Sequence, residues 1–234
     1  MRSQAHSRSR PGVYARGEDT RRRILETALE MFATHGYEGT STRLLAEGAG
    51  VNLPAIQYYF GSKEGLYRAV ISDIIDHTEA HMAPLALRTR AMLADPGVSP
   101  TELLELLCQT LEAYVALVTG GPHVESKRLL FARAEIEDTP GLEELHENCR
   151  QQIFQPCLDL ISRLLGQSPE DEATVLRTMA VIGQVTIFCQ NGVQHVLKTA
   201  EFTPELVRVI RALVRAHTMA VFAAQQSIFP NQSE

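Results

Sequence analysis

Apolar residues in this chain recur every three or four positions from one end to the other, a period that a helix can bury and a strand cannot. Ile24, Ala28 and Phe32 repeat at i, i+4, i+8, with Leu25, Leu29 and Ala33 beside them, and Leu66, Val70 and Ile74 repeat the pattern. The same spacing runs through residues 101–119, 126–138, 141–165, 170–198 and 204–226. Gaps containing Pro or Gly (DPGVSP, GGPH, TPG, GQSP, FTP) separate most of these runs. Neither strand alternation nor an internal repeat is visible, so the expected fold class is all-α. With 234 residues, 44% of them hydrophobic, the chain can form one large domain or two small ones.

The first third carries the most specific local signals. Residues 1–17 mix Ser, Arg, Gly and Pro without periodicity and are expected to form a flexible basic arm. A helix starts at Glu18 and stops at Gly36, a residue suited to the left-handed C-terminal cap. A short helix follows over Thr42–Gly48, with Ser41 and Thr42 as cap candidates, and then a turn at Gly50-Val51. Asn52 caps a third helix with Pro54 in its first turn, and Ser62 caps a fourth. Leu45 and Ala46 are placed to pack on Val51 and Ile56, while Leu53, Pro54, Ala55 and Gln57 stay near an exposed helix start. This is the plan of a helix-turn-helix, whose second helix enters a DNA major groove.

Net charge argues against that conclusion until it is divided. The chain has 22 Lys+Arg against 28 Asp+Glu, a balance of −6. Residues 1–68 hold ten basic against seven acidic groups (+3), and residues 69–234 hold twelve against twenty-one (−9). A basic head on an acidic body implies that only the head meets a polyanion.

Residues 21–66 resemble the DNA-binding domain of TetR-family transcriptional regulators. The resemblance rests on RRRILETALEMFATHGYEGTSTRLLAEGAGV, the Tyr58-Tyr59-Phe60 block and Gly61-Ser62-Lys63-Glu64-Gly65-Leu66. NLPAIQYYFGSKEGLYRAV resembles the CecR-like subgroup, to which FARAEIEDTPGL and IGQVTIF are also similar. The resemblance implies that Thr42 and Arg43 open the positioning helix and that Leu53, Pro54 and Ala55 face base edges. It makes Tyr58, Tyr59 and Lys63 phosphate contacts, with Arg16, Arg21, Arg22 and Arg23 adding backbone or minor-groove contacts. Two positions depart from the family pattern: Asn52 replaces the usual Ser, and Gln57 replaces the usual Tyr. The Gln57 amide can read adenine bidentately, which makes it the candidate for direct readout.

For the rest of the chain the resemblance implies a ligand-sensing and dimerising domain. The expected division is arm 1–17, helix-turn-helix domain 18–62, ligand-binding and dimerisation domain 63–226, and tail 227–234. Residues 179–193 are nearly uncharged and are expected to form a buried helix of a soluble protein. The last helix carries Leu206, Ile210, Leu213, Val214, His217 and Val221 on one face, with Arg208, Arg211 and Arg215 opposite. Pairing these two helices with their symmetry mates would give a four-helix interface and a homodimer. Pocket candidates are Cys108, Tyr114, Phe131, Arg133, Phe154, Gln184, Phe188 and Asn191, with Arg133 favoured over Glu135 as the group facing a ligand.

Other chemistries have weaker support. Asp73, His77 and His81 stand at i, i+4, i+8, but HTEAH lacks the H-E-x-x-H arrangement, and a solvated stripe is the simpler expectation. Among Cys108, Cys149, Cys157 and Cys189 only Cys149 adjoins a basic residue, Arg150, and all four suit small buried positions. No nucleophile elbow, phosphate loop or dinucleotide fingerprint appears. The expected protein is therefore a cytoplasmic, non-enzymatic regulator without a cofactor or membrane partner. It would bind a palindromic double-stranded operator as a homodimer and be released as a repressor by a small-molecule effector. The alternative is a helical small-molecule-binding or protein-interaction module that does not regulate transcription.

Overall fold

The structure, a computed structural model, describes residues 11–137, 139–189, 193–199 and 201–228. These form α1 (Pro11–Gly39), α2 (Thr42–Gly48), α3 (Leu53–Phe60), α4 (Lys63–Leu93), α5 (Pro100–Thr119) and α6 (Val124–Glu137). Then come α7 (Leu142–Cys149), α8 (Gln155–Leu165), α9 (Glu172–Thr186), α10 (Val193–Leu197) and α11 (Pro204–Ile228). No strand occurs among the described residues, as the periodicity requires.

The local signals act where the sequence places them. Ser41 Oγ accepts from Leu44 N (3.2 Å), Asn52 Oδ1 from Ala55 N (3.0 Å) and Ser62 Oγ from Gly65 N (2.9 Å). Each occupies an amide that the first helical turn leaves unpaired. Gly36 breaks α1 at φ 75°, ψ 171°, and a Cβ there would lie 2.6 Å from Glu137 Oε1. Gly50 takes φ 61° in the turn between α2 and α3.

Three expected boundaries are corrected. Helix α1 begins at Pro11, so residues 11–17 are not an irregular arm, and Thr20 Oγ1 donates to the Arg16 carbonyl across that turn. Residues 1–10, and 229–234 of the tail, lie outside the described residues. The run 141–165 is α7 and α8 joined by a π-helical turn, Arg150–Phe154. Pro156, at the start of α8, has no amide to continue the i−4 ladder, which accounts for the wider turn. The run 170–198 is not one helix: α9 ends at Thr186 and a 3₁₀ turn, Ile187–Cys189, follows.

Burial also departs from expectation in α9 and α11. Thr174, Thr178, Val181, Ile182 and Val185 are buried, but Leu176, Met179 and Ile187 are exposed, so α9 is covered on one side only. The stretch Glu172–Cys189 is long and apolar enough to pass as a membrane span by composition, yet one face of it packs into the body core. In α11 the buried residues are Ile210, Val214, Thr218 and Phe222, whereas Leu213, His217 and Val221 are exposed. Arg215 sits not on an open face but against α5, donating to Glu105 (2.7 and 3.0 Å) and Glu112 (2.5 Å).

Two apolar cores result. The first joins Ile24, Ala28 and Phe32 of α1 to Leu45, Ile56, Leu66, Tyr67, Val70 and Ile71, and also takes Leu130 of α6 and Leu145 of α7. The second gathers α5, α8, α9 and α11 around Leu106, Leu107, Leu111, Leu160 and Val185. Helix α4, about 46 Å long at 1.5 Å per residue, serves both. Ser62 is thus a boundary in the chain but not in the packing, because the head's core continues through α4 into α6 and α7.

The α5–α11 clamp makes stability pH-dependent. The Arg215 guanidinium, then Gln109, holds Glu105 down at about 2, below its ordinary 4.5. Stabilisation from a depressed carboxylate is present above the unfolded value and is lost as pH falls toward the folded one. Glu105→Gln therefore lowers the melting temperature at neutral pH. The gap from the unmodified protein closes as pH drops from 4.5 toward 2, measured by circular dichroism melts across that range.

Candidate nucleic-acid interface and its link to the body

Helices α2 and α3 bury one side completely and leave the other bare. Leu45 and Ala46 of α2 and Ile56 of α3 are buried, Val51 packs against them, and Val51 N donates to the Ala46 carbonyl (2.9 Å). On the outer side Arg43, Pro54 and Gln57 are exposed, Leu53 is 43% exposed and Tyr58 83%. Thr42 and Ala55 are half-buried beside them. An aromatic ring left that open on a well-packed domain gains nothing for folding.

The remaining residues expected at DNA divide into two groups. Arg16 and Arg23 are exposed, and Arg22 is exposed within an i+3, i+4 network with Asp19 and Glu26. Arg21 lies 5.4 Å over the Phe60 ring, which ties α1 to the end of α3. Tyr59 packs against the first core and meets Tyr58 edge-on at 5.0 Å, so its ring is a packing element. Lys63 also differs from expectation. Its side chain is 24% exposed, and its ammonium donates to the Tyr37 carbonyl (2.9 Å) and lies 4.2 Å from the Tyr37 ring. Lys63 fastens the start of α4 to the end of α1.

Head and body meet where α1 ends. Arg133 of α6 donates through Nε to the Ala33 carbonyl (2.7 Å), through Nη2 to the Thr34 carbonyl (2.8 Å) and through Nη1 to Glu137 (3.0 Å). Glu137 accepts from Tyr37 N (3.1 Å). Carbonyls and amides freed by the Gly36 break are thus paired by α6 side chains rather than by α1 itself. Tyr67 of α4 donates to Thr139 (3.0 Å), and Arg68 bridges to Glu144 (3.0 Å), which adds α7 to the joint. Arg133 is consequently not a ligand-facing group, since three of its donors are used in this clamp. An open cleft of about 570 Å³ lies beside the joint, lined by His35, Tyr37, Glu38, Glu64, Glu137 and Pro140, and none of the expected pocket residues borders it.

Those residues are dispersed. Phe131 packs against the first core, which removes it from a body pocket. Cys108 is buried on α5, and Phe154 and Phe188 flank the second core. Gln184 donates to Thr218 of α11 (2.9 Å). Tyr114 lies within hydrogen-bonding range of Cys189, with its hydroxyl pushed well up by burial. Asn191 lies outside the described residues. Glu135 bonds His146 (2.5 Å) instead of a ligand.

The cysteine and histidine clusters have structural accounts. Burial pushes Cys149 up to about 11, and neighbouring Arg150 pairs with Glu147 (2.6 Å) instead of the thiol. Burial likewise pushes Cys108 to about 11 and Cys157 to about 12. His81 Nδ1 bonds the His77 carbonyl (2.8 Å), and the two rings meet tilted at 52° with centroids 4.3 Å apart. Among the described residues no three His, Cys, Asp or Glu side chains converge as a metal site.

Known proteins carry the same construction. Residues 24–70 match the model for bacterial regulatory proteins of the tetR family, and residues 100–225 match the C-terminal domain of the HTH-type transcriptional dual regulator CecR. The CecR regulator of Shigella flexneri is 28% identical over 209 residues, 88% of this chain and 93% of that one. A TetR-like regulator from Rhodococcus sp. RHA1 superposes with TM-score 0.57 at 20% identity, covering 87% of this chain and 96% of that one. The structure of AibR with isovaleryl coenzyme A and operator DNA superposes with TM-score 0.56 at 18% identity, over 85% and 97% of the two chains. With more than half of its length inside the CecR C-terminal match and its head inside the tetR match, the chain belongs to the CecR-like branch of the tetR family of transcriptional regulators.

Removing the clamp tests the joint. Arg133→Met should destabilise the protein by about 1.5–3 kcal/mol, the range for hydrogen bonds to a charged group. Amide hydrogen exchange should speed up first around residues 33–40, read by mass spectrometry.

Proposed function

We propose that this regulator is a homodimeric repressor that leaves a palindromic operator when its helical body takes up a small molecule. One observation carries the DNA reading: Leu53, Pro54, Gln57, Tyr58 and Arg43 stand exposed on the one side of the α2–α3 pair that the fold does not use. Inserted in a major groove, Leu53 and Pro54 meet thymine methyl groups, Ala55 lies alongside, and Gln57 reads a base edge. Arg43, Thr42 and Tyr58 hold the phosphates on either side, and Arg16, Arg22 and Arg23 extend that contact along the backbone. Arg21, Tyr59 and Lys63 keep α1, α3 and α4 in register behind them. The functional units are then a reading head over 18–62, with α1 extended to Pro11, and a sensing and dimerising body from residue 63 onward. The acidic body stands away from the DNA, in the cytoplasm.

Dimerisation follows from the unpartnered rows on the body. Leu176 and Met179 of α9, Ile187 in the turn after it, and Val209, Leu213 and Val221 of α11 expose apolar side chains. Pairing α9 and α11 with the same helices of a second protomer covers both rows in a four-helix contact. Two heads then meet half-sites one or more helical turns apart. An effector acts by binding one head separation better than the other, and the change reaches the heads through α4 and through the Arg133–Glu137 clamp.

Binding to DNA recovered by selection from a random pool tests this reading. Arg22→Ala should weaken all sequences alike and lower the salt slope by about 1, whereas Gln57→Ala should erase preference at one base pair, worth about 1–3 kcal/mol. Tyr58→Ala should weaken binding about tenfold, as loss of a phosphate anchor does at roughly 1.4 kcal/mol. A pool without palindromic enrichment, or a Gln57→Ala variant of unchanged preference, would refute the interface.

A further inference from the structure

Among the described residues of the body, Arg128 is a buried cation that no carboxylate pairs. Arg128 of α6 is 6% exposed, yet its Nε and Nη2 have no hydrogen-bond partner. Its remaining contacts orient it: Nη1 donates to the Phe188 carbonyl (3.2 Å), and the guanidinium lies 5.1 Å over the Phe202 ring. No carboxylate of the described residues pairs with it. The other inward arginines are treated differently. Arg133 spends its Nε and Nη2 on two carbonyls, and all three nitrogens of Arg215 meet Glu105 and Glu112.

Leaving a charged group buried and unpaired costs several kcal/mol, so such a group persists where something else completes it. Nε–H and Nη2–H lie on one edge of the guanidinium plane, the edge that grips the two oxygens of a carboxylate side-on. The surroundings are apolar and aromatic: Phe188, Phe202 and, across the same interior, Tyr114 and Cys189. Arg128 bears on Cys189 electrostatically, and Cys189 on Cys149 and Tyr114, so these groups are neighbours in the interior. Lys127, the adjacent cation, feels Asp73 of α4 instead. With one cation available, a monoanion leaves the interior neutral, whereas a phosphate dianion leaves it negative.

We propose that the free edge of Arg128 is the anchor for the effector, and that the effector is a monocarboxylate with an apolar or aromatic tail. This rests on the ligand-responsive reading above and names the ligand class for it.

Binding is measured by titration calorimetry on the full chain without DNA. The probes are hexanoate, octanoate, benzoate and 4-phenylbutyrate, each beside its primary amide, with hexylphosphonate as the phosphate-like control. At least one acid should bind once per protomer, about tenfold or more tighter than its amide, as expected for a charge-assisted bidentate contact. Arg128→Met should abolish that difference. It should leave the unliganded melting temperature equal or higher, because it removes an unpaired buried charge without changing side-chain bulk much. The proposal falls if no acid binds, if amides bind as well as acids, if the phosphonate binds best, or if Arg128→Met melts several degrees lower. Because the calorimetry contains no DNA, its failure leaves operator binding standing. Failure of the operator experiments equally leaves the carboxylate site standing.

Discussion

The end of α1 is where the molecule is held together. A helix that stops at a glycine leaves its last carbonyls without partners, and they must be paired from elsewhere if they are covered. Here the partners come from about a hundred residues away: Arg133 takes the Ala33 and Thr34 carbonyls, and Glu137 takes the Tyr37 amide. Lys63 takes the Tyr37 carbonyl from the other side. Two helices, α6 and α4, thus converge on one break in a third, and the orientation of the reading head follows from their positions. Because Gly36 has φ 75° and no room for a Cβ beside Glu137, the break cannot be relaxed without opening the joint.

That arrangement explains why the head is not an independent unit in packing terms. Leu130 of α6 and Leu145 of α7 complete a core otherwise made by α1 to α4, and Tyr67 and Arg68 fasten α4 to the residues around them. A motion of α6 or α7 in the body therefore changes what α1 rests on. The second core is closed by a different device, the Arg215 fork on Glu105 and Glu112, which joins α11 to α5 without touching the head. The body can hold its shape at α5 and α11 while the α6 end adjusts.

What could be read in advance divides along the same line. The caps at Ser41, Asn52 and Ser62, the Gly36 break and the Gly50 turn depend on neighbours within four residues, and the sequence displays them directly. Bare positions such as Leu53, Pro54 and Gln57 followed from the faces of two short helices, and Tyr58 from the family resemblance. The Arg133 clamp and the Lys63 tie to Tyr37 are not legible in the sequence, because their partners include backbone carbonyls, which leave no complementary residue type there. The packing of Tyr59 is equally illegible, because an aromatic residue has the same pattern whether it packs or contacts phosphate. In α9 and α11 the period was right, but which apolar stripe faces the body depends on where α5 and α8 lie, and no local pattern contains that. Arg128 passed unremarked for a related reason. What distinguishes it is the absence of a partner, which only the arrangement of the surrounding helices reveals.

Arg128 and Arg133 stand on one helix, five residues apart, so their Cα atoms are separated by about 7.5 Å along the axis and by roughly 140° around it. One guanidinium is turned into the body beneath Phe188 and Phe202, and the other is turned out onto the end of α1. A small rotation or slide of α6 cannot move one without moving the other. Packed interfaces of this kind shift between discrete arrangements instead of deforming smoothly, so on the proposed effector site completing the charge at Arg128 would select among positions of α6 that the clamp passes to the head. The strength of that selection is bounded by how differently the two positions hold the anion, not by how tightly the anion binds overall. The proposed coupling therefore rests on a single fourteen-residue helix that turns Arg128 into the body and grips the end of α1 with Arg133.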